Sequence, residues 1–270
     1  MSGPPPDALE AIAVEVATAA SALLAQAFAS PRTTVETKST STDMVTEMDR
    51  AVERHITQRL AAERPDDAII GEEGTARPGS SGVCWIVDPL DGTTNYLYRQ
   101  RAYAVSLAAE HDGVIVAGAV ADPFASRVFS AHLGGGARLD GLALACSTEQ
   151  ELSRALIGTG FSYEPARRQR QARLLAGLID RIRDIRRLGA AALDLCLVAE
   201  GSLDGFYEAG LAPWDHAAGL LIASEAGART TTVPGAGTEP AAVVAAAPGV
   251  FDALRGAPAA ADRAADAPGG

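Results

Sequence analysis

Cysteine is rare in this chain of 270 residues, where it occurs only as Cys84, Cys146 and Cys196. Each is isolated among apolar residues, and no pair has the Cys-x-x-Cys spacing of a zinc or redox site. A disulfide framework and a zinc centre are therefore not expected. We interpret the three as reduced cysteines in the core of a cytoplasmic protein.

Basic residues and long apolar runs are also scarce. The chain has 23 Lys and Arg against 34 Asp and Glu, which gives a formal net charge of −11 and a pI near 4.8. Nucleic-acid-binding proteins usually have the opposite balance. No apolar run approaches the roughly 18 residues of a membrane helix, and the start lacks the basic segment of an export signal. We therefore expect a soluble protein that binds neither a membrane nor, as its main partner, a nucleic acid.

The overall composition is that of an ordinary globular protein, with 47% hydrophobic and 21% charged residues. Its length allows one large domain, or two closely packed lobes with a substantial core.

The segment from Trp85 to Asn95 carries the clearest chemical signal. An apolar run typical of a buried strand ends at Asp88-Pro89, because proline cannot extend a ladder of hydrogen bonds. Asp91 follows closely, and two carboxylates at a strand end repel each other unless a cation lies between them. A hard divalent cation is the obvious candidate, while Gly92-Thr93-Thr94 offers backbone N–H groups and hydroxyls to an anion. A metal beside an anion predicts phosphate-ester chemistry; taken alone, the segment is also compatible with an ordinary turn.

Two further acidic clusters argue against the ordinary turn. Glu72-Glu73 lies between glycines after an apolar lead-in, on a loop that can bend closely around a ligand. Asp215 follows Trp214 and opens an apolar run typical of a buried helix, where an aspartate alone would be read as an N-cap. Three such clusters in one chain are hard to explain as unrelated turns.

The pattern along the chain predicts two lobes that complete one site. Residues 1–7 are a flexible start, 8–145 a first lobe with the metal motifs, 146–257 a second lobe, and 258–270 a disordered tail. Apolar periodicity predicts helices at 8–30, 43–63, 168–185, 190–200 and 215–227. A polar loop or hairpin is expected at 32–42. Alternation and Asp-Gly turns predict strands at 103–110, 114–121, 128–132, 155–158, 203–207 and 242–246, and a short strand or a connection at 186–188.

These motifs resemble the inositol monophosphatase family of magnesium-dependent, lithium-sensitive phosphatases. The string Asp-Pro-Leu-Asp-Gly-Thr-Thr-Asn is highly specific, and Gly-Glu-Glu and Trp-Asp-His-Ala-Ala-Gly occur in the family's order and separation. The likeness runs from about Ala8 to Ala253. The stretch Arg-Arg-Leu-Gly-Ala-Ala-Ala-Leu-Asp-Leu that begins at Arg186 is closer to the bacterial branch, and the composition suggests an actinobacterial member. The resemblance implies an α/β (α+β) fold, a layered α-β-α-β-α sandwich, and a homodimer.

The resemblance also implies which residues hold two or three Mg²⁺ ions. Glu72, Asp88 and the Leu90 carbonyl would bind the first ion. Asp88, Asp91 and Asp215 would bind the second, so that Asp88 bridges the two, and a third, looser ion would lie near Glu72. All are oxygen ligands, which Mg²⁺ prefers.

The catalytic residues that the resemblance implies are Asp49, Glu72 and Thr93. Thr93 would orient the attacking water, with Asp49 behind it accepting a proton through the hydroxyl. No histidine base is required, because a metal makes water more acidic. In agreement, no catalytic constellation includes any of the four histidines, at positions 55, 111, 132 and 216.

Contacts to the phosphate and to a small phosphorylated polyol follow from the same resemblance. The implied substrate contacts are Asp91, Gly92, Thr93, Thr94, Ala190, Ala191, Glu208 and Asp215. Ala190 stands where the best-known animal pattern has a hydroxyl, and Ala212 where it has a histidine, so strict selectivity for inositol stays open. Lys38 would lie on a loop over the metal site and help position Glu72 or the phosphate; an ordinary surface lysine is the alternative.

Other functions remain open beside inositol 1-phosphate hydrolysis. Relatives with the same metal residues act on fructose 1,6-bisphosphate, histidinol phosphate or 3′-phosphoadenosine nucleotides. Some bacterial relatives bind RNA polymerase and RNA, and a basic surface could serve that purpose here. The net charge favours the alternative that these basic residues form an ordinary solvent-exposed helix face. The basic residues in question are Arg167, Arg168, Arg170, Arg173, Arg181, Arg183, Arg186 and Arg187.

Overall fold

A computed structural model describes residues 3–28, 35–37, 44–235 and 240–265. Its α-helices are α1 (Pro6–Phe28), α2 (Glu47–Glu63), α3 (Thr93–Leu97), α4 (Pro165–Ala176), α5 (Ala191–Glu200), α6 (Pro213–Glu225) and α7 (Pro248–Ala265). Its strands are β1 (Val35–Thr37), β2 (Met44–Thr46), β3 (Ala68–Gly71), β4 (Ala76–Arg77), β5 (Val83–Asp91), β6 (Ala104–His111), β7 (Val114–Asp122), β8 (Arg127–His132), β9 (Ala137–Leu139), β10 (Leu142–Ala143), β11 (Leu156–Thr159), β12 (Asp184–Arg186), β13 (Gly205–Ala209), β14 (Arg229–Val233) and β15 (Ala242–Ala246).

An eight-stranded sheet forms the centre of the first lobe, in the order β10-β9-β8-β7-β6-β5-β3-β4. β3 is parallel to β5, and the other neighbours are antiparallel. Successive residues of β5 point to opposite faces, and both faces are covered. Trp85 and Val87 pack with α1 and α2, whereas Ile86 packs with α5 and α6. The apolar run in the sequence is therefore a central strand, as predicted.

A five-stranded sheet organises the second lobe, in the order β12-β11-β13-β15-β14. β11 is parallel to β12 and β13, while β15 is antiparallel to β13 and β14. Helices α5 and α6 lie between the two sheets, and α4 and α7 cover the outer face of the second. With α1 and α2 on the outer face of the first sheet, the layers are α-β-α-β-α, which confirms the predicted sandwich.

Helix α1 is long and apolar enough to cross a membrane by length and composition alone, with a mean hydropathy of 1.7 over its most apolar window. Its apolar face is nevertheless buried against the first sheet, through Leu9, Ala13, Val16, Ala17, Ala20 and Leu24. Glu10 on the same helix is also buried and accepts a hydrogen bond from the Ser130 hydroxyl at 2.7 Å. Packing in a core thus accounts for the apolar character of this helix.

Three predicted elements differ from the structure by more than two residues at one end or both. The helix predicted at 168–185 is α4, which ends at Ala176. Gly177 disfavours helix, and the buried Leu178 side chain packs in the apolar cluster between the second sheet and α7. The helix predicted from residue 43 starts at Glu47, since residues 44–46 form β2, which pairs with β1. Helix α7 continues to Ala265, so the disorder predicted from residue 258 is wrong for residues 258–265, where alanine favours helix.

Candidate active site

A bulge at the carboxyl end of β5 brings Asp88 and Asp91 to one place. The register with β6 shifts between them, where Pro89 cannot donate a ladder hydrogen bond. The Leu90 N–H instead donates to Asp88 Oδ1 at 3.0 Å. Gly92 then adopts a left-handed conformation with a φ of 87°, which ends the strand and starts α3.

Carboxylates from both lobes line one open cleft. Glu72 follows β3, Asp88 and Asp91 end β5, Glu208 lies near the end of β13, and Asp215 lies in the first turn of α6. The cleft is also lined by Leu90, Gly92, Thr93 and Ala191. The fold therefore assembles residues from all three acidic clusters of the sequence into one site.

The carboxylates in the cleft interact strongly. Burial, and then the charges of Glu72, Asp91 and Asp215, raise the pKa of Asp88 well above its ordinary value. Burial and the charge of Asp215 likewise raise the pKa of Asp91, although a backbone N–H from Ala192 opposes the shift. Both ionised forms are thus costly, which is the electrostatic situation that a bound cation relieves.

Backbone N–H groups hold two of these carboxylates in place. Asp91 accepts hydrogen bonds from the N–H of Ala191 at 3.2 Å and of Ala192 at 2.7 Å, at the start of α5. Asp215 accepts one from the Ala212 N–H at 2.7 Å, which closes the first turn of α6. The N-cap interpretation of Asp215 is therefore wrong: Ala212 is the N-cap, and Asp215, the third residue of α6, reaches back to the N–H of Ala212 while also lining the cleft.

The donor set of the cleft fits a hard divalent cation. Every candidate ligand is a carboxylate or the Leu90 carbonyl, and these oxygens are what Mg²⁺ prefers. In the part of the chain that the structure describes, however, no three acidic, histidine or cysteine side chains stand at the spacing of a preformed metal cluster. The fit therefore rests on ligand chemistry and on the electrostatic repulsion around Asp88.

Thr93 and Asp49 are neighbours, as the resemblance implies. The Thr93 hydroxyl lies 3.0 Å from the Leu90 carbonyl oxygen and 3.5 Å from Asp49 Oδ2. The hydroxyl has one hydrogen, so the shorter contact is the stronger hydrogen bond. Asp49 comes from the first turn of α2 and is buried behind Thr93 rather than in the wall of the cleft.

The remaining predicted site residues differ in how close they lie to the cleft. Ala190 is buried behind the turn, with its Cβ 3.2 Å from where a Cβ on Gly92 would be. Thr94 is not in the wall, but its hydroxyl lies 3.1 Å from that of Tyr163. Burial raises the pKa of Glu208 to about 7; Arg187 opposes this shift and Asp215 adds to it. Lys38 lies outside the described residues.

Several residues of the cleft wall were not predicted from the sequence. Phe161, Tyr163 and Arg187 line the cleft, together with Gly160, Gly189 and Leu211. Arg187, one of the arginines of the predicted basic surface, is the only basic residue that lines the cleft within the described chain. Burial raises the pKa of Asp194 well above its ordinary value, and the charge of Arg187 opposes that shift. The signal available in the sequence was Gly158-Thr-Gly-Phe-Ser-Tyr163, in which small residues and aromatics follow a short strand.

Comparison with known proteins gives consistent matches along the chain. Residues 6–264 match the family described as "Inositol monophosphatase family". The chain is 51% identical over 231 residues to the inositol-1-monophosphatase SuhB of Mycobacterium tuberculosis, covering 82% of this chain and 79% of that protein. It is 38% identical over 218 residues to the Nus factor SuhB of Escherichia coli, covering 80% of this chain and 82% of that protein. The solved structure of Mycobacterium tuberculosis SuhB matches with a TM-score of 0.81 at 42% identity, covering 96% of this chain and 98% of that one.

Proposed function

The chain belongs to the inositol monophosphatase family and is a phosphatase of that family, and we propose that it hydrolyses inositol 1-phosphate to inositol and phosphate with Mg²⁺ as its cofactor. Its mycobacterial relative is actinobacterial, in agreement with the branch predicted from the sequence.

One observation carries the proposal: an acidic cleft would have to hold an anionic ester. Glu72, Asp88, Asp91, Glu208 and Asp215 line it, against a single arginine within the described chain. A phosphate monoester would be repelled from such a wall unless positive charge were added. Divalent cations held by these same carboxylates would supply that charge.

The proposed ligands are those that the family resemblance implies. Glu72, Asp88 and the Leu90 carbonyl would hold one ion, Asp88, Asp91 and Asp215 a second, and a third would lie near Glu72. When bound, Mg²⁺ supplies positive charge to the phosphate and lowers the pKa of a water molecule. The cleft position of all five groups and the mutual repulsion of the carboxylates support this assignment.

The chain's own residues would then align and deprotonate the water. The Thr93 hydroxyl would orient it, and Asp49 behind Thr93 would accept a proton through that hydroxyl. The backbone N–H groups of Gly92 and Thr93 would hold phosphate oxygens. Glu72 would take part in catalysis as a ligand of the first ion.

Recognition of the polyol would fall to carboxylates of the cleft that accept hydrogen bonds from hydroxyl groups. Glu208 and Asp91 present acceptor oxygens to hydroxyl donors, and the backbone around Ala191 lies next to them. Asp215, which is also in the cleft wall, completes the proposed substrate contacts, whereas Thr94 and the buried Ala190 lie outside the wall. Because Ala190 offers no hydroxyl, we expect inositol 1-phosphate to be preferred over other esters but not used exclusively.

Phosphate release from a panel of esters tests the proposal. The panel contains inositol 1-phosphate, fructose 1,6-bisphosphate, histidinol phosphate and a 3′-phosphoadenosine nucleotide, each with Mg²⁺ and with a chelator. We expect Mg²⁺-dependent release, fastest from inositol 1-phosphate. Asp91→Asn should be inactive, whereas Asp112→Asn, in an exposed turn, should be fully active. A bisphosphate preferred by about 100-fold, or 2.7 kcal/mol, would reassign the substrate.

A role in transcription is the second candidate, because a 38% identical relative is named a Nus factor. The exposed arginines of α4 would supply the RNA- or polymerase-binding surface. Binding to RNA that falls with salt and survives Asp91→Asn would support this role. Absence of binding at low salt would remove it.

Two further expectations concern the state of the protein in the cell. We propose a homodimer, by analogy with the family, which sedimentation would test. We also propose a cytoplasmic location, since all three cysteines are free and Cys196 is buried. Burial raises the pKa of the Cys196 thiol well above its ordinary value, so this thiol should resist alkylation in the folded protein.

A further inference from the structure

The segment between β11 and α4, residues 160–164, forms a wall of the cleft that the proposed chemistry leaves without a role. Phe161 and Tyr163 line the cleft together with Glu208. The Tyr163 hydroxyl lies 3.1 Å from the hydroxyl of Thr94, directly after the Gly92-Thr93 turn. The segment thus reaches from the second lobe to the edge of the turn proposed to hold the phosphate.

Gln171 of α4 fixes this segment relative to Glu208. Its side-chain carbonyl accepts a hydrogen bond from the Ser162 N–H at 2.8 Å, and its amide donates to the Ala209 carbonyl at 3.1 Å. Ala209 directly follows Glu208 in the chain. One side chain therefore sets the spacing between the two aromatic residues and the carboxylate proposed to receive hydroxyl groups.

The two aromatic side chains are not core residues. Tyr163 is 42% exposed, and Phe161 is half-buried. Large apolar surface is usually buried, so an aromatic pair kept at the wall of an acidic cleft is informative. Such a pair offers an apolar face to the C–H groups of a ring, while neighbouring carboxylates accept its hydroxyls.

We propose that Phe161 and Tyr163 are specificity-determining residues that select a ring-shaped polyol phosphate over an acyclic one. This inference rests on the proposed phosphatase function. The Tyr163 hydroxyl contacts that of Thr94 beside the phosphate turn, and Phe161 lines the cleft together with Glu208. An acyclic ester has no ring face to place against the two side chains.

The test compares inositol 1-phosphate with glycerol 2-phosphate as substrates of the full chain at saturating Mg²⁺. For Tyr163→Ala and Phe161→Ala, we expect kcat/KM on inositol 1-phosphate to fall about tenfold, mainly through KM. On glycerol 2-phosphate it should change less than about twofold. Tyr163→Phe keeps the ring and should lose less than Tyr163→Ala. Tyr98→Ala, an exposed tyrosine outside the cleft wall, should match the wild type on both esters.

The outcomes separate this inference from the proposed function. Equal losses on both esters, or a fall in kcat at unchanged KM, would overturn the ring-selecting role while phosphatase activity stands. A wild-type protein that releases phosphate from neither ester would overturn the proposed function and the inference with it. If Tyr163→Ala fails to fold, as judged by its melting curve, Phe161→Ala and Tyr163→Phe decide the question.

Discussion

A Cβ atom on Gly160 would lie 2.0 Å from Oε2 of Glu208, so the carboxylate packs directly against a bare α-carbon. Gly160→Ala should therefore push Glu208 away from its position in the cleft. We expect KM for inositol 1-phosphate to rise about tenfold, because small displacements of a positioning group are costly. Mg²⁺ affinity should change little, since Glu208 is not among the proposed ligands. Gly256→Ala, where a Cβ meets open space, is the matched control; an unchanged KM in Gly160→Ala would refute the expectation.

The pH dependence of stability should reveal the buried Glu208 carboxyl. Burial raises its pKa from 4.5 to about 7 in the folded protein, with Arg187 opposing and Asp215 adding. The folded state therefore binds the proton more tightly than the unfolded state does. This stabilising contribution is complete below pH 4.5 and is lost as pH rises through about 7.

Urea unfolding in chelator, repeated across this pH window, measures the free energy of unfolding of the wild type and of Glu208→Gln. The stability of the wild type relative to the variant should fall between pH 4.5 and 7 and level off above it. The exposed Glu164→Gln serves as the control and should leave the wild-type profile intact. Parallel curves for wild type and Glu208→Gln would show that this carboxyl is not perturbed.

Removing the Asp88 charge should stabilise the protein and abolish its activity. Burial and the charges of Glu72, Asp91 and Asp215 raise the pKa of Asp88, so its ionised form is costly in the fold. In chelator, Asp88→Asn should melt at a higher temperature than the wild type, as functional sites often trade stability for activity. Added Mg²⁺ should raise the melting temperature of the wild type but not of the variant.

Asp88→Asn should also lower the rate of phosphate release at least about 100-fold. The exposed Asp112→Asn is again the control. If Asp88→Asn retained the Mg²⁺-dependent rise in melting temperature, Asp88 could not be the bridging ligand.

Glu53 should support the proposed metal site from behind the Glu72 turn. Its buried carboxylate accepts hydrogen bonds from the Glu73 N–H at 2.8 Å, the Thr75 N–H at 3.1 Å and the Thr75 hydroxyl at 2.6 Å. Glu53→Gln places an amide donor among these donors and should loosen the turn. We expect Mg²⁺ affinity, measured by calorimetry, to fall about tenfold. Glu63→Gln, farther along the same helix, should have no effect on affinity; equal affinities in both variants would contradict the supporting role.

The fold was predictable where the signal is local. The apolar run before Asp88 is a central strand, the Asp112-Gly113 turn joins β6 to β7, and 242–246 is β15 to the residue. Elements were missed or misplaced where tertiary contacts decide. The inward-pointing Leu178 ends α4 early, and the short strand β14, which has no strong pattern of its own, forms through its pairing with β15.

The candidate site was predictable to the extent that its residues lie in specific motifs. At least one acid from each of the three motif clusters lines the same cleft, and Thr93 lies next to Asp49. Phe161, Tyr163 and Arg187 were not found, because an aromatic after a glycine or an arginine among other arginines has many ordinary interpretations. Their importance comes from what faces them, and this cannot be read from neighbouring positions.

The amino-acid sequence by itself determined the local chemistry: a strand stopped by proline, a turn that needs glycine, and carboxylates at element ends. These features follow from backbone preferences and charges that act between near neighbours. Only the tertiary structure decided which elements share a wall. Thr94 meets Tyr163 across 69 positions and Asn95 donates to Leu188 across 93, because two stacked sheets bring separate loops together, and short-range periodicity does not encode how those sheets stack.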